Sequence, residues 1–445
     1  MFSDKDLIKN IYLYSKLNRV PFHTPMHLGR TDYPNDLSEL SGLDNLQYPT
    51  STLKNTEEYL SEIFFAKKSF LLTNGASIGL QAAILALKFY YSQSNLALKP
   101  LLVARNVHKS VLSGIILAGF DVEWLELNYD NNLDLYTGLK LSVTELKKFL
   151  SNREDAYAGL VLTNPSYDGF YSDLSSLKSL TLPLIVDEAH GTHYYFSDDL
   201  PQGALKTAGD IVIHSLHKTL GALTQSAVAH ISMDSKIPAS CYETALRLLQ
   251  TTSPSYLILK SILESVQYYV QKAKELYLKV KAFQGKISTN CLIANNDDYF
   301  RIIIQNARTE ELEVFLEKRN IFIEKKSSKS ITIFLSPYHN EKDIDTLNTA
   351  LTKFQVTNLS ALSSELEIFS FPDQVLNPQL AYFSPFRELP YQESLGKICT
   401  ELFAPCPPGF PLLVPGQKIN SSIIDKLGIC DDFLKYKSGI IRVVE

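Results

Sequence analysis

Between residues 69 and 233 short apolar runs alternate with helix-like stretches. The runs are SFLLT (69–73), PLLVA (100–104), DVEWLEL (121–127), AGLVLT (158–163), PLIVD (183–187) and DIVIHS (210–215). Each is apolar nearly throughout rather than alternating, and each ends in a turn bearing Gly, Asn or His. Continuous apolar strands separated by helices predict a parallel sheet covered on both faces. Ligands of such sheets bind at the carboxyl ends of the strands. The polar clusters fall at those ends: NGAS after the first run, RNVHKS after the second, NPSYDG after AGLVLT, DEAHG after PLIVD and SLHKT after DIVIHS. Five polar loops on one sheet edge define a candidate active site.

Outside this block the pattern is helical first and mixed later. Residues 3–17 predict a helix, with Ser3 as cap and Leu7, Ile8, Ile11, Leu13 and Leu17 as its apolar face. PFHTPMHLGRTDYPND is too rich in Pro, Gly and Asp for regular structure. A second helix is predicted from Thr56-Glu57-Glu58, and residues 238–281 predict helix with a break at Pro254. From about 285 the chain reads as α+β: CLIA, FRIIIQ, NIFIE and SITIFL as strands, RTEELEVFLEKR and EKDIDTLNTALTKF as amphipathic helices. APCPPGFPLLVPGQ reads as an ordered loop, followed by a helix at SSIIDKLG and a strand at GIIRVV. The expected organisation is an N-terminal segment at 1–55, a large domain at 56–285 and a smaller α+β domain at 286–445, with a softer boundary near 360.

Composition narrows the class. With 445 residues the chain has ample length for two or three domains. Hydrophobic residues make up 45% and charged residues 20%, which argues against disorder. The net charge of −5 gives no electrostatic footprint for nucleic acid. No apolar run approaches the roughly 18 residues of a membrane span. The start, MFSDKDLIKN, lacks the basic and apolar regions of a signal peptide. Five scattered cysteines, Cys241, Cys291, Cys399, Cys406 and Cys430, contain no CxxC, which points to a reducing, cytoplasmic setting without disulfides or zinc.

Candidate chemistry centres on Asp187, at the end of PLIVD, and Lys218 in SLHKT. A pyridoxal phosphate enzyme needs both types. The lysine amine forms a Schiff base with the cofactor aldehyde, and the acid keeps the pyridine nitrogen protonated. An isolated Asp and Lys mean little; the neighbouring motifs give the pair weight. NGASIG lies between a strand and the helix LQAAILALKFYY, so helix-start amides and the Ser77 hydroxyl are placed to hold a phosphate. His108 is a candidate to stack on the cofactor ring, and Ala189 to pack on its opposite face. Ser215 and His217 flank the lysine and are candidates for the phosphate cup. His190 and His193 are spaced like a metal pair, as are His23 and His27, but no third ligand follows at a suitable interval. No metal is expected.

Read together, these loops resemble the Orn/Lys/Arg decarboxylase family of fold-type-I pyridoxal phosphate enzymes. PFHTPMHLGR is similar to the family's PFHTPGHKxG, and DLSELSGLDNL to D-x-T-E-x-x-G-L-D-D-L. TNGASIG, RNVHKSV, TNPSYDG, VDEAHGTH, SLHKTLGALTQ and TTSPSY match in order, and APCPPGFPLLVPGQ resembles YPPGIPLLxPGE. The resemblance runs from about residue 20 to 420. It implies Lys218 as the Schiff-base lysine, Asp187 as the pyridinium partner and His108 as the stacking residue. It places Ala76, Ser77, Ser215 and His217 around the phosphate, with Ala189 and His190 among the cofactor-binding residues. It also implies a homodimer with shared active sites, to which Ser253 and Ser255 are candidates to contribute, in a compact form without an N-terminal wing domain. Four positions depart from the family pattern: Met26 and Leu28 replace Gly and Lys, Gln47 replaces a common His, and Gln417 replaces Glu. All four lie in segments able to shape the substrate end of the pocket. The expected reaction is α-decarboxylation of lysine, arginine or ornithine to the amine, within polyamine synthesis. The rivals are aminotransfer or aldol chemistry on the same scaffold, and a catalytically silent relative.

Overall fold

All six apolar runs become strands of one mixed sheet in the computed structural model. They span Ala66–Leu72, Leu101–Ala104, Val122–Leu125, Gly159–Thr163, Leu184–Asp187 and Ile211–Ser215. A seventh strand, Ala227–Ser232, was not expected. The order across the sheet is Ala66–Leu72, Ala227–Ser232, Ile211–Ser215, Leu184–Asp187, Gly159–Thr163, Leu101–Ala104, Val122–Leu125. Ala227–Ser232 runs antiparallel to both of its neighbours. The pairs Leu184–Asp187 with Ile211–Ser215, and Leu101–Ala104 with Val122–Leu125 and Gly159–Thr163, are parallel. The fold is α/β, with a mainly parallel sheet and helices, and the near-complete burial of its strands explains their unbroken apolar character. The structure describes residues 6–17, 20–28, 32–354, 370–405, 409, 411–428 and 430–445. The predicted cap Ser3 and the fourth cysteine, Cys406, lie outside them.

The chain forms two compact units: Met1–Ala97 with Leu174–Ala273, and Leu98–Asp173 with Lys274–Glu445. In the first, the helix Gly75–Gln93 lies hard against its strands, and Gly79 is the point of approach. A Cβ there would stand 2.7 Å from Leu72 Cδ1 and 3.1 Å from Ile213 Cγ2. The Tyr242 hydroxyl donates to the Gly79 carbonyl at 3.2 Å from the other side. A larger residue at 79 would require the Leu72 and Ile213 side chains to shift. Helices Ala239–Leu249 and Tyr256–Lys286 are separated at Pro254, where the sequence placed the break.

In the second unit a four-stranded sheet has the order Leu292–Ala294, Arg301–Gln305, Ser330–Phe334, Lys325–Lys326. The helices Thr309–Glu317 and Glu341–Lys353 occupy their predicted positions. A further pair, Phe386–Pro390 with Ile440–Val444, sits on a core that includes Leu413, Ile419, Ile423, Phe433 and Val443.

Several boundaries differ from expectation. The first helix runs Leu7–Lys16 and is capped by Asp6, whose carboxylate accepts from the Lys9 amide at 2.9 Å. The second begins at Thr52, four residues early, because Asp44 takes up the amides of Thr50, Ser51 and Leu53 and organises the entry. The third begins at Gly75, inside NGASIG, rather than after it. NIFIE is not a strand: Asn320 adopts a left-handed φ of 58°, Phe322 is 75% exposed, and pairing starts only at Lys325.

Candidate active site

Two parallel strands in the first unit set the geometry. Leu184–Asp187 pairs with Ile211–Ser215 in a register that puts Asp187 opposite Ile213. The first strand ends at Asp187. The second runs directly into a short helical turn, Leu216–Thr219, which carries Lys218. Adjacent strand ends thus present an acid and an amine at the same edge, as the sequence predicted. Asp187 is buried, and one carboxylate oxygen accepts from the Ala189 amide at 3.1 Å. Burial raises its pKa above the ordinary carboxylate value, while the Lys218 ammonium and the Ala189 N–H pull it back.

Lys218 Nζ lies 3.1 Å from His190 Nε2. His190 follows Ala189 in the DEAHG turn, and both are buried. His217 is half-buried, with its Nδ1 3.2 Å from the Ser215 hydroxyl. Burial lowers its pKa, the Ser226 carbonyl raises it, and the neighbouring Lys218 charge lowers it further. Ala76 and Ser77 occupy the first turn of the helix Gly75–Gln93, Ala76 half-buried and Ser77 exposed. Gly75 turns the chain into that helix with φ 77°, a value that favours glycine, and its N–H donates to the Gln225 carbonyl at 3.0 Å. Two buried hydroxyls, Thr73 Oγ1 before this turn and Thr219 Oγ1 after the lysine, have no hydrogen-bond partner.

His108 belongs to the second unit. It caps the helix Lys109–Ala118: its Nδ1 accepts from the Ser110 amide at 3.2 Å and pairs with the Ser110 hydroxyl at 2.7 Å. Its backbone leads into Lys109, whose N–H donates to the Gly409 carbonyl at 3.0 Å. Arg105, in the same RNVHKS motif, is fully buried and stacks on Trp124 and Phe371. Burial brings its pKa down to about 9.

The departures at Gln47 and Gln417 hold backbone. Gln47 Nε2 donates to the Gln250 carbonyl at 3.0 Å. Gln417, fully buried, donates to the Pro372 carbonyl at 3.1 Å and accepts from the Val414 amide at 3.1 Å. Met26 is 81% exposed, and Leu28 adopts a left-handed φ of 58°.

Sequence reasoning missed a polar group on the far face of the same strands. Glu188, next to Asp187, is completely buried, accepts from the Tyr195 hydroxyl and the Ala204 amide, and hydrogen-bonds to His214 Nε2. Tyr195 OH at 2.9 Å and His214 Nε2 at 2.8 Å reach one oxygen, and the Ala204 amide at 2.8 Å reaches the other. Burial pushes its pKa up to about 8 against those hydrogen bonds, and His214 is pushed down to about 3. The signal was present as a polar residue beside each strand end, Glu188 after Asp187 and His214 before Ser215. Among the described residues no group of three or more His, Cys, Asp or Glu side chains is placed to hold a metal, and no helix is long and apolar enough to cross a membrane.

Comparison with known proteins identifies the family and the fold. The family model for the Orn/Lys/Arg decarboxylase major domain matches residues 20–311, which include Lys218, Asp187 and His108. Arginine decarboxylase of Bacillus cereus is 27% identical over 450 residues, covering 91% of this chain and 94% of that protein. An uncharacterized Bacillus subtilis protein, YaaO, is 27% identical over 484 residues, covering 99% and 97%. The solved lysine decarboxylase of Francisella novicida superposes with a TM-score of 0.80 at 19% identity, covering 99% of this chain and 81% of that one. At that identity the superposition speaks for the fold, and the family match speaks for the chemistry. The chain belongs to the Orn/Lys/Arg decarboxylase family and is a carboxy-lyase.

Proposed function

We propose that the protein removes the α-carboxylate of a basic amino acid, with pyridoxal phosphate held between Lys218 and Asp187. One observation carries the reading: a buried acid and a lysine at the ends of adjacent parallel strands, close enough for the lysine charge to act on the acid. The site fits the cofactor. Asp187 supplies a buried carboxylate for a ring cation, Ala189 leaves room beside it, and Thr73 and Thr219 offer buried hydroxyls that lack partners. The helix start at Gly75–Ser77 suits a phosphate. Bound there, pyridoxal phosphate supplies an aldehyde for amine capture and a cationic ring that accepts an electron pair.

The chain's own part is positioning and proton handling. Lys218 provides the amine that holds the cofactor and that substrate must displace. His190, in contact with Nζ, accepts a proton from that nitrogen and returns it. Asp187 keeps negative charge fixed where a ring cation needs it, with one oxygen tied to the Ala189 amide. His108 is assigned to stacking, and Ser77, Ser215 and His217 to the phosphate. Relatives named arginine decarboxylase align along more than nine-tenths of the chain, which makes arginine the first substrate to try, before lysine and ornithine. The product is then the corresponding amine, and polyamine synthesis the setting. A homodimer in the cytoplasm with shared sites, Ser253 and Ser255 included, completes the proposal.

The test is incubation of the purified protein with pyridoxal phosphate and each of arginine, lysine and ornithine, followed by amine identification. Carbon dioxide with agmatine, cadaverine or putrescine supports the reading. Keto-acid formation would favour aminotransfer instead. A wild-type protein that takes up no cofactor and shows no visible absorbance would mean a silent relative.

A further inference from the structure

A strand places consecutive side chains on opposite faces. Asp187 therefore faces the cofactor edge, and Glu188 points into the protein behind it. The ladder does not stop at Asp187: the Glu188 N–H donates to the Ile213 carbonyl at 3.1 Å, one step beyond the Asp187–Ile213 pairing. His214 is the next residue on the facing strand, and its Nε2 is 2.8 Å from Glu188 Oε2. The two side chains tie the adjacent strands together behind the site. One tie-point is directly next to Asp187, and the other is four residues before Lys218.

The surroundings make this tie rigid. Both side chains are 0% exposed. Tyr195, which donates to Glu188, itself accepts from the Leu205 amide at 3.0 Å. Phe64 packs on Tyr195, His214 and His230 with ring centroids 4.7–5.2 Å apart. His230 lies 4.8 Å from His214, ring to ring, and its Nδ1 is 2.8 Å from the Ser69 hydroxyl. A buried carboxyl with three hydrogen-bond partners is costly to disturb, since removing one leaves the atom that faced it unpaired in a low-dielectric interior. A structure that needed only packing here would be served by apolar residues of similar size.

We propose that Glu188 is a positioning residue. Through His214 and Tyr195 it fixes the two strand ends from behind, and so sets the separation of the Asp187 carboxylate and the Lys218 amine that pyridoxal phosphate must bridge. This rests on the functional reading given above, and it adds a second layer of residues to that site. Glu188 touches neither cofactor nor substrate.

The experiment is a double-mutant cycle read by cofactor affinity. Apoprotein of wild type, Glu188→Gln, His214→Leu and the double variant is titrated with pyridoxal phosphate, and the dissociation constant is taken from the visible absorbance. Tm is recorded for each apoprotein. Each single change is expected to weaken cofactor binding about tenfold, the scale of a buried hydrogen bond lost with its partner left unpaired. The double variant is expected to be no weaker than the singles, because both break one tie. His214→Gln, which keeps a polar amide able to donate or accept near the Nε2 position, is expected to bind within about threefold of wild type, and it guards against variants that fail to fold. The proposal is overturned if Glu188→Gln binds within twofold of wild type, if the two changes multiply to about a hundredfold, or if Tm falls while affinity stays fixed. A wild-type protein that binds no pyridoxal phosphate would sink the functional reading itself; normal wild-type binding with an indifferent Glu188 sinks only this inference.

Discussion

His190 Nε2 sits 3.1 Å from the Lys218 amine, the nitrogen on which the proposed chemistry turns. An ammonium has only donors, so the contact places the acceptor lone pair on Nε2 and the imidazole proton on Nδ1. When substrate displaces the lysine, Nζ must gain and lose protons, and His190 is the buried group in reach. General acid–base groups of this kind contribute about 10²–10⁴-fold. His190→Ala is therefore expected to lower kcat by about 100-fold or more with KM changed little. Steady-state carbon dioxide release checks this; a loss of under threefold would leave His190 a packing residue.

Asp187 is held at odds with its own stability. Its folded pKa is raised above the ordinary value of 3.8, with burial the largest cause. An acid raised in this way contributes stability that is complete below its unfolded pKa and is lost as pH rises through the folded one. Asp187→Asn removes the charge and keeps an oxygen for the Ala189 amide. The variant is expected to match or exceed the wild-type Tm at pH 8 and yet lose about 10³-fold or more in kcat. Such a split between stability and activity marks a site residue. Thermal unfolding beside the decarboxylation assay decides it: a variant that is both less stable and still active refutes the assignment.

Much of this site was legible because burial on both faces writes a strand as an unbroken apolar run, and because the polar residues that follow such runs mark the strand ends. PLIVD and DIVIHS gave Asp187 and Lys218 directly. Ala227–Ser232 was passed over, since SAVAHIS is built of small residues and follows the lysine turn without an intervening helix; its antiparallel direction has no signature in composition. NIFIE carries a strand's alternation but lies just after a helix end, where Asn320 turns the chain. Glu188 and His214 each looked like one polar residue at a strand end. Only the register of two strands separated by 23 residues in sequence, Asp187 to Ile211, brings them together. Pair contacts of this kind are not local properties of either segment.

Glu57 offers a pH test away from the lysine. It is buried, one oxygen accepts from the Leu71 amide at 3.2 Å, and its pKa is pushed up to about 8, chiefly by burial. The sign is the same as for Asp187: protonated Glu57 is compatible with the fold, and stability drains away as pH rises from 4.5 to about 8 and then levels off. Glu57→Gln keeps the acceptor and removes the titration. Its Tm relative to wild type is expected to be nearly unchanged at pH 4 and higher by on the order of 2–4 °C at pH 9, at roughly 1 °C per kcal/mol for a chain of this length. A constant difference across that range would show that Glu57 does not titrate there.

Gln417 tests the departure from the family's acidic residue. Its amide nitrogen donates to the Pro372 carbonyl and its oxygen accepts from the Val414 amide, with no part of the residue exposed. Gln417→Glu restores the family pattern in sequence but sets a carboxylate oxygen against the Pro372 carbonyl, two acceptors facing each other in a dry interior. Leaving such groups unpaired costs about 1–3 kcal/mol, more when one is charged. The expected result is a lower Tm that partly recovers as pH falls and the carboxyl protonates, because the acid form donates where the amide did. If Gln417→Glu were as stable as wild type at pH 8, and instead changed the preference among arginine, lysine and ornithine, the position would belong to substrate selection rather than to the loop's own hydrogen bonding.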